Sequence, residues 1–273
     1  MATPELVARD LVQPYGLAFD TEEVLFVAES GAGRVSRVRP DGKPEVFAET
    51  GGRPMGIAFD DSGDLFVAES GRHHLLLISP DEEVEVYASQ CHGRRLVAPR
   101  DLCFEPTGSA LFSDGGKEDG GGAVYRADLD GEVEELFGGL SMPAGMVLTE
   151  DAGGLYVAED GASRILYVEL GADGGVTEPQ VLVEFGDGHG VATLLMDAQG
   201  NLLASRPGAG VSLIDPEGAV VQSFAVPGGQ LTGMTFGGLE FDQLFIAAAG
   251  AGTVYRIQLD RPGQRPFAGP RAV

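Results

Sequence analysis

One short unit, Pro-x-Gly-x-Ala-Phe-Asp followed shortly by Leu-Phe-Val-Ala-Glu-Ser-Gly, constrains this chain more than any other feature. It reads Pro14-Tyr-Gly-Leu-Ala-Phe-Asp20 with Leu25-Phe-Val-Ala-Glu-Ser-Gly31, and returns as Pro54–Asp60 with Leu65–Gly71. Looser copies begin at Pro99-Arg-Asp-Leu-Cys-Phe, Pro143-Ala-Gly-Met-Val-Leu, Val191-Ala-Thr-Leu-Leu-Met and Leu231-Thr-Gly-Met-Thr-Phe. The last apolar residue of each copy falls at Phe19, Phe59, Phe104, Leu148, Met196 and Phe236. The steps between them are 40, 45, 44, 48 and 40 residues. A period of ~40–45 residues is that of four-stranded propeller blades.

Each unit reads as four short strands. The innermost is Gly-Leu-Ala-Phe-like and the second Leu-Phe-Val-Ala-like; the third resembles Arg34-Val-Ser-Arg-Val and the fourth Glu45-Val-Phe-Ala. Asp41-Gly42, Asp130-Gly131 and Glu217-Gly218 supply the tight turns between third and fourth strands. The expected architecture is all-β: a six-bladed β-propeller of four-stranded antiparallel blades, forming one domain over residues 1–273. Inner strands are expected at about residues 15–20, 55–60, 100–105, 144–149, 191–197 and 232–236. The sixth unit runs out after its third strand, near Leu259. Glu5-Leu-Val-Ala-Arg9 has the pattern to complete it and close the ring, with the tail Gln264–Ala268 as the competing strand.

Charge and cysteine content narrow the function classes. With 42 acidic against 18 basic residues the net charge is −24, a field that repels phosphate backbones, so nucleic acid is not expected as a partner. No stretch approaches the ~18 apolar residues of a membrane span, and Met1-Ala-Thr-Pro-Glu-Leu lacks the basic and apolar regions of a secretory leader. A cytoplasmic location is expected. Cys91 and Cys103 do not make a disulfide framework.

The unit resembles NHL repeats. The stretches Ala110-Leu-Phe-Ser-Asp114, Gly121-Gly-Ala-Val-Tyr-Arg126, Leu155-Tyr-Val-Ala-Glu-Asp160 and Phe236-Gly-Gly238 resemble the regucalcin and gluconolactonase family. That resemblance implies a small-molecule hydrolase of the lactonase type acting at the mouth of the central channel. It also implies a divalent metal there, held by Glu, Asn and Asp at the starts of inner strands. Those positions are occupied here by Tyr15, Arg100, Ala144 and Ala192, with only Asp101 of an Asn-Asp pair in its place. A hard cation requires several oxygen ligands, so no cofactor and no metal site are expected.

The start of each first strand and the end of each second lie on one propeller face, which places two rings there. The inner ring is Tyr15, Met55, Arg100, Ala144, Ala192 and Thr232; the outer is Glu29, Glu69, Asp114, Glu159, Arg206 and Ala248. Recurrence in every unit marks Glu29, Glu69 and Glu159 as hairpin ties. His73, His74, His92 and His189 are expected in loops on the same face. The candidate catalytic residues are Arg100, Asp101, His189 and Asp114, with Tyr15, Met55, Ala144, Ala192 and Thr232 lining the substrate pocket. Arg100 is the one cation of the inner ring, able to polarise a carbonyl or hold a carboxylate; the bland alternative is a salt bridge to Asp101 or Asp114. Two other functions fit the same face: a metal-independent lyase or isomerase with His189 or Asp101 as base, and a non-enzymatic propeller binding a ligand or protein. The expected partner is a small-molecule substrate, and the oligomeric state is left open.

Overall fold

The computed structural model describes residues 3–117, 120–172 and 174–268. Six antiparallel four-stranded sheets stand around a central channel. The inner strands are Pro14–Phe19, Pro54–Phe59, Pro99–Phe104, Pro143–Leu148, Thr193–Met196 and Leu231–Gly237. Each touches the inner strand on either side, and the last touches the first, so the sheets are six blades of a closed propeller. No helix among the described residues is long and apolar enough to cross a membrane.

Alternation along each strand builds the packing. In the second strand of blade 1, Phe26 and Ala28 face blade 2, while Leu25 and Val27 face blade 6. Every blade contributes to two such layers, and the six apolar clusters are the six interblade interfaces. Each fully buried Leu, Ile or Phe in them contributes about 1.5–3 kcal/mol. Edge-to-face pairs such as Phe26–Phe59 and Phe66–Phe104, both at 5.0 Å, bridge neighbouring blades.

The ring closes as the repeat count requires. Glu5–Ala8 pairs antiparallel with Thr253–Gln258, with Glu5 opposite Arg256, and supplies the outer strand of blade 6. The tail does not compete for that place. It runs instead beneath the channel: Gln264 N–H donates to the Met196 carbonyl (2.8 Å), Gln264 Nε2 to that of Leu148 (3.0 Å), and Asp61 N–H to that of Ala268 (2.9 Å). Phe267 packs between the clusters flanking blade 3. The tail forms a floor.

Candidate functional site

The inner strands bulge at their upper ends. Pairing skips between Pro14 and Leu17, Pro54 and Ile57, Pro99 and Asp101, Pro143 and Met146, and Leu231 and Met234. The bulges set the channel lining one residue deeper than strict alternation predicts. Of the expected inner ring only Tyr15 lines the central cavity; Met55, Ala144 and Ala192 are buried between strands. Thr232 donates its hydroxyl to the Pro14 carbonyl (2.8 Å), tying blade 6 to blade 1.

Immediately below lies a neck made by Gly16, Gly56, Asp101, Gly145, Thr193 and Gly233. Its glycines are required by close approach. A Cβ on Gly233 would strike the Tyr15 carbonyl, one on Gly145 the Thr193 backbone, and one on Gly56 the Asp101 carboxylate. Asp101 and Thr193 are the two side chains in this ring. A cavity of about 210 Å³ runs from Tyr15 through this neck; below it the walls are Ala18, Ala58, Cys103, Val147, Leu195 and Thr235, and it ends on Gln264, Pro266 and Phe267.

Arg100 spans the mouth. From blade 3 its Nη2 donates to the Tyr15 hydroxyl of blade 1 (3.2 Å) and to Asp160 Oδ2 of blade 4 (3.3 Å). Blades 1 and 4 face each other across a six-membered ring, so the three side chains form a polar bar over the channel. Its side chain is only 13% exposed, and its Nε is buried without a protein partner. Tyr15 and then Asp160 keep it cationic against the cost of burial. The ion-pair partner is therefore neither Asp101 nor Asp114. It is Asp160, which the sequence reading missed because it directly follows Glu159 of the hairpin signature. A short 3₁₀ turn, Asp160–Ala162, lifts it over the mouth.

Asp101 hangs in the neck. Its backbone N–H donates to Ser113 Oγ (3.1 Å), and its Oδ2 accepts from Met146 N–H (3.1 Å). Burial pushes its pKa up from 3.8 to about 7, against the opposing pull of the Met146 and Leu102 N–H groups and of Arg100. A carboxyl so placed exchanges protons near neutrality. Burial also pushes the Cys103 thiol well above its ordinary range, with the Asp101 charge adding to the effect. Cys103 is thus not a thiolate.

The other expected residues lie elsewhere. Asp114 accepts from Val97 N–H and Ala98 N–H (both 2.7 Å) and from Gly116 N–H (2.9 Å), so its buried carboxylate holds the loop leading to Arg100. His189 turns its Nδ1 to the Pro207 carbonyl (3.0 Å). Gly190 beside it packs against Asp160. His92 is not on the mouth face: the hairpin Gln90–Cys91/Arg94–Arg95 folds down the outside of blade 3, and His92 sits beside Arg126, Asp128 and Glu132. Burial raises the Cys91 pKa. Arg206 of the outer ring pairs with Asp187 and stacks on Phe185 at 3.7 Å.

The family described as SMP-30/Gluconolactonase/LRE-like region matches residues 16–250. The chain belongs to this family. Pentonolactonase XacC of Haloferax volcanii is 28% identical over 187 residues, covering 61% of this chain and 64% of that protein. The gluconolactonase of Zymomonas mobilis is 33% identical over 178 residues, covering 58% of this chain and 49% of that protein. The chain thus spans less than two thirds of either relative. The calcium-binding protein regucalcin of Agrobacterium tumefaciens superposes with a TM-score of 0.85 at 19% identity, covering 100% of this chain and 98% of that one. At that identity the likeness speaks for the fold.

The donor set at the mouth does not fit the divalent ion that this SMP-30/gluconolactonase family implies. Arg100 occupies the centre, a cation where a cation would bind, and the nearby Ala144 and Ala192 bring no side-chain oxygen. Among the described residues no three His, Cys, Asp or Glu side chains converge as a metal cage requires.

Proposed function

We propose that this propeller is a lactone hydrolase in which Arg100 and Tyr15 act where relatives of the family place a metal. The observation that carries the reading is the Tyr15–Arg100–Asp160 bar set directly above the Asp101 carboxyl. A lactone carbonyl at the mouth meets the guanidinium and the tyrosine hydroxyl. Asp101, as carboxylate, takes a proton from a water as its oxygen bonds to the carbonyl carbon. The negative charge passes to the carbonyl oxygen, where Arg100 donors stabilise it. Collapse breaks the ring C–O bond, and the Asp101 carboxyl returns its proton to the leaving alkoxide. One water is consumed and a hydroxy acid is formed. The relatives named as lactonases support the reaction class.

The test is hydrolysis of a lactone panel followed by pH-stat, with chelator and with added calcium. Equal rates in both are expected. Arg100→Met keeps bulk but removes donors and charge, and should lower kcat/KM at least ~10-fold, about 1.4 kcal/mol. Because the base is the carboxylate, kcat/KM should rise through about pH 7, and Asp101→Asn should abolish that rise along with most of the activity. Full activity in either variant, or activity restored only by calcium, overturns the proposal.

A further inference from the structure

We propose that the cavity beneath the neck receives an alkyl arm of the substrate, so that preferred substrates are lactones with an aliphatic side chain rather than polyhydroxylated sugar lactones. This deepens the lactonase reading and rests on it. With the neck included, the cavity is about 210 Å³, far above the roughly 10–15 Å³ of such volume that one water takes. Its wall ring is Ala18, Ala58, Cys103, Val147, Leu195 and Thr235, and Phe267 of the tail closes it below. Cys103 is protonated there, and so behaves as a small apolar residue.

Three of the few polar side chains within are already engaged. Asp101 Oδ2 accepts from Met146 N–H, Gln264 Nε2 donates to the Leu148 carbonyl, and the Thr235 hydroxyl donates to the Phe236 carbonyl at 3.3 Å. A sugar lactone brings several hydroxyl groups, each needing a partner once it leaves water, and each left unmatched costs binding energy. An alkyl arm asks for none of these and gains with every methylene buried. The ester group would remain at Arg100 while the arm passes the glycine neck.

The experiment compares δ-valerolactone, its 5-alkyl homologues up to δ-decalactone, and glucono-1,5-lactone on the purified protein. The proposal expects kcat/KM to climb with chain length, by up to about fourfold per methylene, and to exceed that for gluconolactone. Val147→Phe, which fills the cavity, should flatten the series; Leu195→Ala, which enlarges it, should extend the climb to longer arms. Melting curves identify a variant that fails to fold, and the oppositely directed one then decides. A flat or falling series with gluconolactone turned over rapidly would overturn the alkyl-arm proposal and leave the lactonase reading standing. A climb that neither substitution changes places the arm elsewhere and also overturns it. No turnover of any lactone would end both.

Discussion

Glu29 in blade 1 and Glu69 in blade 2 occupy the same place, at the end of Leu-Phe-Val-Ala, and both are fully buried. Around Glu29 every oxygen is used: Val12 N–H (2.8 Å), Arg34 Nε (2.8 Å) and Nη2 (3.3 Å), and Ser36 Oγ (2.6 Å) all donate to it. Around Glu69 the third strand supplies His74 and Leu76 where blade 1 has Arg34 and Ser36. Glu69 Oε2 accepts from Arg72 N–H, but Oε1 is buried without a protein partner, and so is His74 Nδ1. Burial accordingly raises the Glu69 pKa and lowers that of His74. The lesson concerns repeats. A signature carboxylate recurs because the hairpin needs it, yet the donors that make it favourable lie on another strand and drift independently.

The largest effect should come from Glu29→Ala. It strands the Arg34 guanidinium, the Ser36 hydroxyl and the Val12 N–H, and should cost about 3 kcal/mol in urea unfolding. Glu69→Ala should cost less than half as much. Equal losses would erase the distinction between the blades.

Next in size is His74→Arg, which copies the Arg34 and Arg164 arrangement of blades 1 and 4. A guanidinium reaching Glu69 Oε1 should raise stability by about 1.5 kcal/mol, and the added Arg should lose that benefit in a Glu69→Gln background. Additive behaviour of the two changes would show that no pair had formed.

The smallest effect is pH-dependent. A carboxyl whose folded pKa is raised contributes stability that is present below its unfolded value, near 4.5, and lost as pH rises through the folded one. Glu69→Gln removes that penalty, so the variant should melt slightly above the parent at pH 8, by about 1 kcal/mol or less. The gap should close toward pH 4. A gap that persists in acid would assign the gain to packing instead of charge.

The sequence made the blades legible because each interface repeats one alternation, and the inner strands fall within about two residues of their expected spans. Closure by Glu5–Ala8 was readable for the same reason: the last unit lacks a strand. The mouth was less legible. Residue pairs such as Met55-Gly56 and Thr232-Gly233 contain the neck, but only the bulges reveal that the glycine, not its neighbour, faces the channel. Asp160 was invisible as a partner because its contact with Arg100 depends on a turn in a different blade. The tail was read for its strand-like pattern, yet Gln264 finds carbonyl partners on two neighbouring inner strands beneath the channel, a long-range arrangement with no local signature.

The pairing of Glu5–Ala8 with Thr253–Gln258 also has a consequence for how the protein is made. Glu5 and Arg256 are 251 positions apart in the chain, so the strand Glu5–Ala8 is made long before the partner it pairs with. Blades 1 to 5 each draw their strands from one contiguous stretch and can form in order during synthesis. The sixth cannot. Until Gln243–Ala248 is made, blade 1 shows an uncovered apolar flank at Leu17, Leu25 and Val27, the surface that Phe245 and Ala247 later cover. The nascent chain is therefore exposed to misassembly until Thr253–Gln258 has been made, and its pairing with Glu5–Ala8 ends that exposure.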